Sequence, residues 1–261
     1  RMWRPRVKLY WFSEMPHHVF EDGEDLKYPA MRLEMPNTYF DRAMAARNYH
    51  HYFDEHVLAD EVGFDGLMIN EHHSTPSCSD VSIMMSAAIL ARQTKRAKIA
   101  LMGNILPIQD NPIMVAEQIA MADLISGGRI ISGFVRGIGV ETWWANANPV
   151  HNRERFEECH DLIIKCWTEP GPFRWEGKHY HFRHVNPWCL PLQKPHPPIV
   201  IGGGGEHGRR SRLSEAASSQ GRTDRAAVAA DCLICVMRSW TAGWKPAIRK
   251  TALHHSRSGV F

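Results

Sequence analysis

Ile69-Asn70-Glu71-His72-His73 places an acid and two imidazoles at the end of an apolar run. Histidine changes charge near neutral pH, so His72 suits the transfer of a proton to or from a bound ligand. Neighbouring side chains of an extended segment point to opposite sides, so His72 and His73 do not read as two ligands of one metal. The cluster also fits an ordinary polar loop between a strand and a helix, and spacing alone leaves both readings open. Two weaker stretches accompany it. Ser13 to Asn37 carries His17, His18, Glu21, Asp22, Glu24 and Asp25 without ligand-like spacing, which favours a solvated acidic loop over a metal site. Gly202-Gly203-Gly204-Gly205 could close its amides on a phosphate, or serve as a flexible turn.

The elements around these residues repeat a strand-then-helix unit. Val7 to Phe12 is aromatic and apolar, as a first strand is. Phe40 to Val62 spaces Ala46, Tyr49, Phe53 and Val57 by threes and fours, an amphipathic helix that Gly63 ends. Gly63 to Ile69 is a turn and a short buried strand delivering Glu71-His72-His73. Asp80 to Thr94 predicts the next helix, Ile99 to Leu106 a third strand, and Asn111-Pro112 the start of another helix that Gly127-Gly128 breaks. Ile130 to Val135 forms a fourth strand running into Arg136-Gly137-Ile138-Gly139. A helix over Arg153 to Trp167, a hairpin around His179 to Val185 and a fifth strand at Ile199 to Ile201 follow. Units at this spacing predict an α/β fold with a parallel sheet, and their number favours a closed barrel over an open sheet. No dinucleotide fingerprint follows the first strand. In both folds ligands lie beyond the carboxyl ends of the strands, where Glu71-His72-His73 falls.

Composition bounds the rest. The chain has 261 residues, 44% hydrophobic and 23% charged, enough for one large or two small cores. No apolar stretch is long enough to cross a bilayer, and Arg1 to Lys8 lacks a following signal core, which predicts a cytoplasmic protein with no membrane partner. Six scattered cysteines fit free thiols in a reducing compartment. The net charge of +3 is uneven: from Glu206 onward 10 Lys and Arg face 4 Asp and Glu, and the remainder is mildly acidic. A nucleic-acid partner is therefore not expected.

Taken in series, Glu71-His72-His73, Ile105-Leu106-Pro107 with Asn111-Pro112, Ser126-Gly127-Gly128-Arg129, Gly133-Phe134-Val135-Arg136-Gly137 and Pro195-His196-Pro197-Pro198-Ile199 resemble the bacterial luciferase-like flavin monooxygenase family, across residues 5 to 205. The resemblance implies a TIM-barrel-like parallel barrel that binds reduced flavin mononucleotide (FMN) supplied by a separate flavin reductase. Oxygen then gives a flavin hydroperoxide, and one oxygen atom enters a small organic substrate. It implies His72 as the catalytic residue and Arg136, with Gly137 and Ile138, at the flavin phosphate. Met102-Gly103, where the family often has a cis peptide, would lie beside the flavin ring. Gly203, Gly204 and Gly205 would join the cofactor site, and His17 and His18 would line the substrate pocket. Members are often homodimers.

After Gly205 the family pattern stops, and 56 residues cannot supply three further strand-helix units. The barrel is accordingly expected to be incomplete at its C-terminal end, with residues 1–205 as the barrel portion and 206–261 as an atypical basic tail, a frame-shifted ending being one origin. Cys232 and Cys235 have zinc-like spacing without a second ligand pair, and no metal is expected. The alternatives are an inactive flavin-binding relative, a deazaflavin-dependent oxidoreductase and, least favoured, a metal-dependent hydrolase using His17 and His72.

Overall fold

A computed structural model describes residues 7–17, 23–137 and 139–202, together with the backbone of 233–238. Its strands are β1 (Lys8–Ser13), β2 (Gly66–Ile69), β3 (Lys98–Leu101), β4 (Asn104–Ile105), β5 (Ile130–Val135), β6 (Phe173–Glu176), β7 (His181–Val185), β8 (Ile199–Gly202) and β9 (Leu233–Arg238). The helices are α1 (Met31–Glu34), α2 (Arg42–Val62), α3 (Ile83–Gln93), α4 (Pro112–Ser126), α5 (Gly139–Trp144) and α6 (Asn152–Thr168).

One sheet runs β9-β1-β2-β3-β5-β8, with β4 continuing β3 alongside β5, and every pairing in it is parallel. From β1 to β8 the spatial order follows the chain order without the reversal that marks a doubly wound sheet. β9 pairs with β1, where the last strand of a barrel returns to the first. The described strands fall short of a full barrel. The fold is a TIM-barrel-like α/β fold.

The core explains why these sequences take this form. β2, β3 and β5 bury Leu67, Ile69, Ile99, Leu101, Ile130 and Phe134 completely, and α3, α4 and α6 cover them with Ile83, Leu90, Ile119, Leu162 and Ile163. Full burial of one such side chain is worth about 1.5–3 kcal/mol. α2 begins at Asp41, whose carboxylate accepts from the Met44 amide, and ends at Gly63 with φ 104°. Its buried face is Ala45, Tyr52, His56, Ala59 and Asp60, so the expected stripe is rotated and Ala46 is exposed. Two polar residues on the inner face caused the misreading. His56 bonds the Tyr52 carbonyl through Nδ1, and Asp60 accepts from the amides of Lys95, Arg96 and Ala97.

Ser126-Gly127-Gly128-Arg129 has a mechanical role. Gly127 and Gly128 turn the chain at φ 68° and 81°, and Arg129 donates to the carbonyls of Ala91, Thr94 and Ala97, tying the end of α3 to the start of β5. The expected hairpin is β6 paired antiparallel with β7. Cys78, Cys159, Cys166 and Cys189 are free thiols. Among the described residues no helix is long and apolar enough to cross a membrane.

Candidate active site

A cavity of about 290 Å³ opens at the carboxyl ends of β2, β4, β5 and β8. Glu71 and His72 border it after β2, Met102, Gly103 and Ile105 around β4, Val135, Arg136 and Gly137 after β5, Glu141 from α5, and Gly202 from β8. Residues far apart in the chain thus meet because parallel strands end on one side.

The three residues of the opening motif divide their tasks. Glu71 Oε2 accepts from the Ile83 amide at 2.9 Å and so caps α3, next to the Ser82 hydroxyl that accepts from Met85. Its other oxygen lies 3.2 Å from His73 Nε2, and the His73 ring stacks on Trp144 at 3.7 Å and 4°. His72 is held by its amide, which donates to the Asp80 carbonyl at 3.1 Å, and by its ring: Nδ1 donates to Glu141 Oε1 at 2.7 Å. A carboxylate at Nδ1 favours the neutral tautomer in which Nε2 is left free to accept a proton. Both histidines meet α5, His72 at Glu141 and His73 at Trp144, and His72 borders the cavity.

Glu141 is the residue the sequence reading missed. Its side chain is 2% exposed, and its bond to His72 spans 69 positions of sequence. The available signal was an acid within the otherwise apolar Gly139-Val140-Glu141-Thr142-Trp143-Trp144, since a buried carboxylate requires a partner. Beneath the loop lies a second buried acid, Asp80. Burial pushes its carboxyl up to about 6, against the opposing bonds from Ser86 and Ser82; the Glu71 charge adds to the rise.

Two glycines let the backbone close up around the cavity. A Cβ on Gly133 would stand 1.6 Å from the Leu101 carbonyl oxygen, so β5 passes directly against the end of β3. Gly137 turns at φ 74°, where a Cβ would also meet Ile105 at 2.8 Å. The Met102-Gly103 peptide is cis, as the resemblance implied, and the Met102 amide donates to the Ile69 carbonyl at 2.7 Å. Arg136 is exposed at the rim.

A second cavity of about 680 Å³ is bordered by His17, Tyr39, Phe40, Arg42 and the stretch Ser74 to Pro76, which follows directly on His73. His17 meets Phe40 edge-on at 5.0 Å. The structure therefore brings His72, Met102, Gly103, Arg136 and Gly137 to one cavity and His17 to another. His18, Ile138, Gly203, Gly204 and Gly205 lie outside the described residues, as do residues 206–232 and 239–261.

The luciferase-like monooxygenase family matches residues 35–217, most of the chain, including the whole first cavity. The chain belongs to the luciferase-like monooxygenase family. This luciferase-like chain is 27% identical over 154 residues, 55% of its length, to the oxygenase component of a flavin-dependent trigonelline monooxygenase of Acinetobacter baylyi, of which it covers 40%. It spans less than half the length of the curated relatives it matches. Among solved structures it resembles the monooxygenase RslO1 of Streptomyces bottropensis, with 24% identity and a TM-score of 0.63 over 80% of this chain and 57% of that one. The oxygenating constituent of 3,6-diketocamphane monooxygenase of Pseudomonas putida, in complex with FMN, gives 22% identity and a TM-score of 0.59 over 82% and 56%. At such identities the likeness is one of fold.

Proposed function

We propose that this luciferase-like protein is the oxygenase component of a two-component monooxygenase, using reduced FMN from a separate reductase and O2 to oxidise a small organic substrate. The observation that carries the reading is the pairing of His72 with Glu141 on a cavity that also holds Met102-Gly103 and Arg136. The names of two relatives support it, one an oxygenase component and the other bound to FMN.

The donor set fits FMN. Arg136 offers a permanently charged guanidinium at the rim for a phosphate, and Met102, Ile105 and Val135 offer apolar wall to a flat ring. Gly137 leaves backbone open beside Arg136, and we extend the phosphate grip to Ile138 and to Gly203, Gly204 and Gly205. When bound, reduced flavin would supply the electrons that activate oxygen. The chain's own contribution is positional and protonic. His72 Nε2 takes or returns a proton at the reacting centre, while Glu141 holds the ring in the required tautomer. We assign the larger cavity, which His17 borders, to the organic substrate, and extend that assignment to His18.

Two substitutions test the division of roles. His72→Ala leaves reduced-FMN affinity near that of the parent and lowers product formation by about 10²–10⁴-fold, the usual worth of a general acid or base. Arg136→Ala weakens FMN binding first. Equal FMN affinity in Arg136→Ala and the parent would sink the phosphate assignment. The departure from the family's phosphate-binding pattern after Gly205, at Glu206-His207-Gly208, favours a second reading, a flavin-binding relative that turns nothing over. It is distinguished by FMN binding with no oxygen-dependent product from any substrate.

A further inference from the structure

We propose that His151, Glu154 and His179 form a binding site for a divalent transition-metal ion of the zinc class, clamping the β6–β7 hairpin to the start of α6. His151 precedes α6, Glu154 lies in its first turn, and His179 sits in the turn between β6 and β7. None of the three borders either cavity.

The geometry is close to that of a bound ion. His179 Nε2 lies 3.0 Å and His151 Nδ1 3.8 Å from the same Glu154 oxygen, Oε2, and the three ligand atoms all fall within 4.8 Å of one another. Bonds of about 2.0–2.1 Å to a tetrahedral ion put its ligand atoms roughly 3.3 Å apart. The two separations bracket that edge, so small side-chain movements complete the site. Two imidazoles and one carboxylate suit Zn2+, Co2+ or Ni2+ rather than Ca2+ or Mg2+, which require oxygen ligands. Water completes the coordination from the solvent side, where the His151 and Glu154 side chains are half-exposed.

What distinguishes this trio from a chance surface cluster is how firmly its distant member is held. Glu158, one turn further along α6, accepts from the amides of Lys178, His179 and Tyr180 and from Trp175 Nε1, at 2.8–3.1 Å. Four donors on one carboxylate fix the hairpin turn to the helix. Gly177 is required for that approach, because a Cβ there would stand 1.6 Å from Glu158 Oε1. Tyr180 extends the attachment by donating to the Gln109 carbonyl at 3.0 Å. Little ordering therefore remains for a metal to impose.

Lys178 is the built-in competitor. Its ammonium contacts both Glu154 oxygens at 2.8 Å. The Lys178 side chain is largely exposed and free to swing into water when an ion takes Oε2.

The test uses the full chain after treatment with a chelator. Titration with Co2+, followed by its visible ligand-field absorption, and with Zn2+ by calorimetry should show one equivalent bound. Zn2+ should also raise the melting temperature by about 5 °C at saturating concentration. His179→Ala and His151→Ala should each weaken binding by at least about ten-fold, and Lys178→Met should tighten it. His151→Ala keeps every Glu158 bond to the hairpin, so it reads ligation apart from folding. Equal Zn2+ affinity in the parent and both histidine variants would overturn the proposal by placing the ion elsewhere, and the absence of a Co2+ band in the parent would overturn it outright.

Discussion

Replacing Asp80 by asparagine should remove a pH-dependent loss of stability. The Asp80 side chain is buried under the Glu71-His72-His73 loop, and its carboxyl is raised from its ordinary 3.8 to about 6, by burial first. The neighbouring Glu71 charge raises it further, while bonds from Ser86 and Ser82 and the His73 charge oppose the shift; Tyr49 feels the Asp80 charge in turn. The folded protein thus binds the Asp80 proton more tightly than the unfolded chain does. Its contribution to stability is full below the unfolded value, declines as pH rises, and is gone above about 6. A shift of roughly two pH units corresponds to about 3 kcal/mol. Asparagine keeps an oxygen to accept from the Ser82 amide and does not titrate. Urea unfolding of parent and Asp80→Asn between pH 4 and pH 8 should give a stability difference that moves in favour of the variant by about 2.5 kcal/mol from the acid to the neutral end. Most of the change falls between about 4 and 6. Curves that run parallel throughout would refute the buried-acid assignment.

Gly133→Ala should unfold or severely destabilise the sheet, by more than about 4 kcal/mol in urea, because its Cβ would lie 1.6 Å from the Leu101 carbonyl oxygen and backbone has nowhere to retreat. A loss under 1 kcal/mol would show that β3 and β5 do not approach so closely. Glu141→Gln keeps an oxygen for His72 Nδ1 but loses the charge; turnover should fall about ten-fold while reduced-FMN affinity stays within two-fold of the parent. Unchanged turnover would leave Glu141 a structural acid only.

Much of this fold was legible in the sequence because the strands are apolar runs punctuated by glycine, and the helices carry capping residues at their ends. Gly63 and Gly127 close α2 and α4 as the sequence suggests. The expected strand over 99–106 proved to be two, β3 and β4, interrupted at Met102-Gly103. Local propensity cannot show such a break, since both halves read as strand. α5 escaped notice because six residues carry too little periodicity, and its Trp143 faces solvent. Without α5, Glu141 could not be assigned to His72. The same limit hid the His151-Glu154-His179 trio: the first two are three residues apart, but His179 arrives only through the hairpin turn that Glu158 holds. Sequence spacing reveals partners within one element, whereas partners across elements require the fold.

The central claim is tested most directly by titrating the purified chain anaerobically with reduced FMN, then mixing it with oxygenated buffer and following the near-ultraviolet flavin absorption. The account predicts saturable binding at one FMN per chain and an oxygen-dependent absorption band that persists well beyond mixing in the parent, with binding weakened in Arg136→Ala. A folded chain that binds no reduced FMN would contradict it.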